Sequence, residues 1–204
     1  MDENVVYSRE VIEFTAVANE YCHILEEAAS VDGTALMKVL QKLLPLLYIK
    51  ALNLPEIESK LDEETEKFVR EEDWLLVKDT LTGKFGAAND YIDLNPDQEA
   101  TEELIYGDLA ESLADIYQDV KDFLMVYRVG TVELMNDALW ECSETFRLYW
   151  GQKLVNTIRA VHLALADPEK IGDELPQDGE KDDKSDWIIS KRMDDFREED
   201  EDDI

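Results

Sequence analysis

Two cysteines and two histidines in 204 residues leave little material for disulfide, metal or imidazole chemistry. Cys22 and Cys142 lie far apart inside apolar-periodic stretches, the pattern of buried free thiols in a reducing compartment rather than of a secreted disulfide framework. No Cys-x-x-Cys exists, and His23 and His162 are the only imidazoles, so no zinc site is expected. Apolar runs long enough to cross a membrane are absent too. The most apolar stretch, Leu36 to Leu54, is broken by Lys38, Lys42, Pro45 and Lys50. The first residues, Met1-Asp2-Glu3-Asn4, are acidic where a secretory signal would be basic and then apolar. These absences point to a cytoplasmic protein. Glycine-rich phosphate loops, nucleophile elbows and Ser/His/Asp patterns are also missing.

Acid is abundant. Fifty Asp and Glu stand against twenty Lys and Arg, for a net charge of −30. Such a field repels phosphate backbones and anionic lipid, and attracts basic proteins and cations. Direct nucleic-acid and membrane-surface binding are therefore disfavoured, and any protein partner is expected to be basic. The same charge also serves solubility without any partner.

Apolar residues recur at helical spacing through most of the chain, and no period-2 stretch is long enough to build a sheet. A first helix is expected from about Asn4 to Ala29, with Val11 or Ile12, Phe14, Ala18, Tyr21, Cys22 and Leu25 on one face. Asp32 caps a second helix that reaches about Asn53 and carries Pro45, which should kink it. Residues 54–71 have no clear periodicity. A third helix holds Trp74, Leu75, Val77 and Leu81 and should stop at Gly83. Residues 84–106 read as a connector, with Asn89-Asp90 and Asn95-Pro96 as turn chemistry. Asp108 and Glu111 form a capping box for a fourth helix that ends near Val129. After Gly130-Thr131, one helix from Val132 to about Ala166 would span roughly 50 Å at 1.5 Å per residue, and it needs antiparallel neighbours of similar length. The expected fold is all-α, an antiparallel helical bundle of about five helices over residues 1–166.

Residues 167–204 form an acidic tail with 17 acidic and 6 basic side chains, a composition that cannot fold alone. Within it Trp187, Ile188, Ile189, Met193 and Phe196 make an apolar island, and Ile189, Met193 and Phe196 share a helical face. Leaving Trp-Ile-Ile in water is costly, so the tail is expected to dock, on the bundle or on a partner, through Trp187–Phe196.

The segment from Asp108 to Asp119 (DLAESLADIYQD), together with Trp140, Phe146 and Tyr149-Trp150-Gly151, resembles a bacterial all-helical family catalogued only as a domain of unknown function. The resemblance covers most of residues 5 to 166 and excludes the tail. It implies a helical fold and contributes no activity. Tyr149 and Lys153 stand where the family is expected to carry histidines, so chemistry resting on those histidines does not transfer to this chain.

Three constellations bear on function. Di-iron bundles need two Glu-x-x-His pairs; Glu20 and His23 supply one, while Arg159 stands at the matching position before His162. Glu111, Asp115, Asp119 and Asp122 form a carboxylate ladder of the kind that holds magnesium in helical pyrophosphohydrolases. At 100° per residue it is centred about 130° from the apolar face of its helix, so it is expected to face water. Finally, residues 34–54 and 146–165 hold no acid at all, only Lys38, Lys42, Lys50, Arg147, Lys153 and Arg159 as charged side chains. The structural explanation makes these the two most central helices, their cations paired with acids on neighbours. The functional one makes Trp140, Arg147, Tyr149, Trp150 and Lys153 a site for an anionic ligand or an acidic peptide, with the tail as one candidate occupant. Gly151 beside Trp150 is expected to admit a close neighbouring helix.

No cofactor is called for. The leading expectation is a non-enzymatic protein-interaction or adaptor module. A magnesium-dependent nucleotide hydrolase using the ladder is the first alternative, and an acidic mimic that occupies a basic protein is the second.

Overall fold

The structure, a computed structural model, describes residues 5–61, 65–93 and 106–172. A 3₁₀ turn at Val5–Tyr7 leads into α1 (Arg9–Glu26), and a second turn (Ala28–Ser30) into α2 (Gly33–Leu52). An extended segment follows, then α3 (Glu71–Phe85), α4 (Leu109–Val129), α5 (Val132–Thr145) and α6 (Gly151–Ala164). A π-turn over Phe146–Trp150 joins α5 to α6, so residues 132–164 form one continuous rod. The all-α bundle of five rods agrees with the periodicity. The expected starting point of α1 at Asn4 and the turn at Asn95-Pro96 lie outside the described residues, as does the Trp187–Phe196 island.

The boundaries follow local chemistry. Asp32 accepts a hydrogen bond from the Ala35 amide at 2.9 Å and starts α2. Asp108 does the same for Glu111 at 2.8 Å and starts α4. Thr131 caps α5 after the break at Gly130. Helix α2 runs through Pro45 without interruption. The stop of α3 is Gly86, at φ +54°, and not Gly83, which sits inside the helix. The left-handed backbone at that position is what ends the helix. One small sheet also exists against expectation. Asp90–Ile92 (β1) and Tyr106–Asp108 (β2) pair antiparallel, too short for a period-2 signal to register.

The centre of the bundle is α4. Fourteen of its 21 residues are buried, against 8 of 20 in α2 and 6 of 14 in α6. It packs against α1, α3, α5 and α6, whereas α2 lies between α1 and α6. This corrects the expectation that the acid-free helices are the most central. The most acid-laddered helix holds that place, and its acids are tied by hydrogen bonds. Tyr117 and Lys121 both donate to Glu26, at 2.9 and 2.7 Å, in a nearly buried cluster that fixes α1 on α4. Phe14, Phe123 and Tyr127 stack at 5.4 Å beside it.

Residues 54–61 and 65–70 have no helix or strand, yet they are held as a strap across α5 and α4. Asn136 donates to the Glu58 carbonyl at 2.8 Å. Asp137 accepts from the Lys60 and Leu61 amides, both at 2.7 Å, and from the Ser59 hydroxyl at 3.1 Å. Glu141 takes Thr65 and Lys67. Asp122 receives the Phe68 and Val69 amides at 2.8 Å each. A strap with no partner strand must satisfy its backbone elsewhere, and carboxylates of the two helices do this.

Candidate functional site

The five residues singled out on the long helix do not form one site. The π-turn separates them. Its extra residue rotates all that follows by about 100° relative to a continued α-helix. Trp140, Glu144 and Arg147, at i, i+4 and i+7, therefore face one side of the bundle, while Tyr149 and Lys153 turn towards α4. Trp150 is fully buried between them, with its indole N–H shared by the Cys142 carbonyl at 3.2 Å and the Thr145 hydroxyl at 3.1 Å. It is a core residue and offers nothing to a ligand.

Gly151 is explained by the same turn. A Cβ there would meet the Phe146 carbonyl at 2.4 Å and the Phe146 ring at 3.1 Å. The close neighbour is the helix's own wide turn rather than another helix, as the sequence had suggested.

On the α4 side, Asp115 is a shared acceptor. It receives the Trp74 indole N–H at 2.9 Å, the Tyr149 hydroxyl at 3.0 Å and the Lys153 ammonium. Lys153 also lies 4.9 Å over the Tyr149 ring. Burial would lower the Lys153 pKa, but the Asp115 carboxylate and Tyr149 outweigh it and hold the ammonium above its ordinary value. Burial likewise raises the Tyr149 phenol. Both groups keep their protons, so neither serves as a base or nucleophile near neutral pH.

The carboxylate ladder is not on a water-facing side. Asp115, Asp119 and Asp122 point into the contacts of α4 with its neighbours, and Glu111 alone is exposed. The reason is that α4 is covered on four sides, so an angle measured from its apolar stripe does not lead to solvent. The ladder also does not converge. Asp115 belongs to the Tyr149–Lys153 cluster, and Asp122 to the strap. Asp119 borders a cavity of about 10 Å³ with Thr65, Lys67, Glu141 and Thr145. That space holds one water molecule and no substrate. Burial lifts the Asp119 carboxyl to about 6, against Lys67 and Thr145, which lower it. Burial also raises Asp122, opposed by the Val69 and Phe68 amides. For Asp137 and Glu141 the same penalty is outweighed by the strap's donors, and both carboxyls lie below their ordinary values. Among the described residues, no three His, Cys, Asp or Glu side chains are placed to share a metal ion. His23 and His162 are both exposed.

Cys22 and Cys142 are buried free thiols, raised by burial and unreactive as nucleophiles. No helix among the described residues is long and apolar enough to cross a membrane.

The other side of the rod presents space. A groove of about 1030 Å³ lies between the strap (Leu54 to Lys60), the end of α2 (Ala51 and Leu52) and the outer face of α5 and the π-turn. Trp140, 37 % exposed, Ser143, Glu144, Phe146 and Arg147 line that last wall. The Ser143 hydroxyl has no hydrogen-bond partner among the described residues. Arg147 pairs with Glu144 at the rim, both partly exposed. The strap was the unreadable part of the sequence, so its side of the groove could not be anticipated. The charged residues at 56, 58 and 60 were visible only as charge.

A five-rod helical bundle walled on one side by an extended strap is the class of domain this chain represents. The chain belongs to the DUF5063 family, a domain of unknown function, whose family model matches residues 5–167. Among solved structures it is similar to protein BF1032 from Bacteroides fragilis, with 42 % identity and a TM-score of 0.71 over 78 % of this chain and 93 % of that one. No curated protein matches it.

Proposed function

We propose that the protein is a non-enzymatic interaction module that takes an extended, basic segment of a partner protein in the groove beside Trp140. The carrying observation is the groove itself. It is open, and it has one large amphipathic side chain, Trp140, on its wall. Aromatic residues at the centre of such a groove dominate binding energy. Glu56, Glu58 and Glu144 supply acid around it, and the net charge of −30 steers cationic segments towards it. The titratable clusters elsewhere are consumed by structure: Asp115 by three donors, Asp122 and Asp137 by the strap. A magnesium site on Glu111, Asp115, Asp119 and Asp122 draws no support from this arrangement.

The test is selection of peptides from a random library on the immobilised full chain, followed by calorimetry. Enriched peptides should be rich in Lys and Arg around an apolar anchor. Trp140→Ala should weaken them about tenfold or more, the effect of losing an interface anchor. Asp115→Asn, on the opposite side of the rod, should leave affinity unchanged. Equal binding to the Trp140→Ala protein, or enrichment of acidic peptides, refutes the reading.

A further inference from the structure

The outward face of α2 carries apolar residues that nothing among the described residues covers. Ala35, Val39, Lys42, Leu46, Ile49 and Asn53 recur at spacings of four, three, four, three and four, and all six are exposed. Val39, Leu46 and Ile49 are 41 %, 41 % and 52 % exposed. This is the seam pattern of a helix that meets another helix. It lies opposite the Leu36, Leu40, Leu43, Leu44 and Leu47 face that α2 already buries in the core. A single exposed Leu means little, but a continuous stripe along about 30 Å of helix indicates an occupant.

We propose that this seam seats a segment of the chain's own tail, residues 186–197, as a short helix. Three observations select it. The first is position. Gly172, the last described residue, lies against the start of α2, where its carbonyl is 2.6 Å from where a Gly33 Cβ would be. The chain therefore leaves the bundle at the N-terminal end of the seam. The thirteen residues from 173 to 185 reach about 40 Å when extended, more than the length of α2. The second is pattern. Ile189, Met193 and Phe196 repeat the four–three spacing of the seam, with Trp187 and Ile188 beside them. The third is charge. Helix α2 contains no Asp or Glu, and Lys38 and Lys42 on its outer side form no ion pair among the described residues. Within 186–197, Asp186, Asp194 and Asp195 balance Lys191, Arg192 and Arg197, and the run of six acids from Glu198 to Asp203 follows directly. A second copy of α2 would instead set lysine against lysine across the seam, so charge disfavours self-association through this face.

The Arg147–Lys153 stretch is the poorer seat for this segment. Trp150 there is sealed in the core, and Lys153 is held by Asp115.

The experiment places a nitroxide spin label at each end of the seam, on Ala35→Cys or Asn53→Cys in the full chain. Cys22 and Cys142 are buried and do not take the label under native conditions. With one label or the other, backbone amide signals of residues 187–196 should lose at least half their intensity. Adding Leu46→Asp and Ile49→Asp, both at exposed positions, should restore them while the circular dichroism stays that of the folded bundle. Undiminished tail signals with both labels overturn the proposal. So does loss that survives the two aspartates. A mixture of spin-labelled chain and unlabelled ¹⁵N chain distinguishes the alternative occupant: tail signals weakened in that mixture assign the seam to a second copy and overturn it as well.

Discussion

Asp119 carries two loads. It sits on the central helix between Lys67 and the other ladder carboxylates, in a space too small for more than one water, and burial lifts its carboxyl from 3.8 to about 6. The folded value lies above the unfolded one, so the folded state prefers the protonated form. Its contribution to stability is full below about pH 4 and is lost as pH rises through 6. Asp119→Asn should remove that loss, raising unfolding free energy at pH 7.5 by roughly 1–2 kcal/mol and changing it little at pH 4. Urea denaturation of both proteins across this range measures the difference. A mutant less stable than the parent at pH 7.5 would mean that the attraction of Lys67 exceeds the burial penalty. The perturbed value looks like that of a tuned catalytic acid. Its surroundings show a carboxyl trapped beside a structural clamp.

At the scale of elements, the helices were legible and the strap was not. Asp32, Asp108 and Thr131 announce helix starts because a short oxygen-bearing side chain before an apolar-periodic run has one good use. The strap has no such signature. Its backbone is satisfied by Asn136, Asp137, Glu141 and Asp122, which are distant in sequence and read locally as ordinary helix acids. The ladder was misjudged for the same reason: a helical angle locates the apolar stripe but cannot show that the strap, α3 and α6 will cover the remaining sides. The π-turn was not legible, because Val132 to Ala166 reads as one continuous helix. Gly151 was read as room for a neighbouring helix, and its tight neighbour is Phe146 of the same rod. Asp137 is the sharpest test of the strap. Asp137→Ala leaves the Lys60 and Leu61 amides without their acceptor and should cost roughly 2–4 kcal/mol. Those two amides should also exchange with solvent much faster than in the parent. A loss of stability with both amides still protected would show that the strap is held by its apolar contacts, Ile57 and Phe68, and not by the carboxylate.

For the whole molecule, the decisive quantity is the net charge of −30. Several of its acids are neutralised locally, Glu26 by Lys121, Glu13 by Lys50 and Asp115 by Lys153, and the remainder repel one another across a compact body. The unfolded chain spreads the same charges farther apart, so screening favours the fold. Raising salt from 0.01 to 0.1 M shortens the screening length from about 30 to about 10 Å. The Tm should rise, by roughly 2–4 °C for each kcal/mol of repulsion relieved in a chain of this length. The contact proposed between the acidic tail and α2 responds in the opposite direction, because its attraction to Lys38 and Lys42 is itself screened. The same titration should therefore raise the Tm, read by calorimetry, while the spin-label effect on residues 187–196 weakens. A Tm that falls with salt would make the exposed ion pairs, and not self-repulsion, the dominant electrostatic contribution. If the spin-label effect strengthens instead, the seam is held by its apolar residues, Val39, Leu46 and Ile49, with the lysines as bystanders.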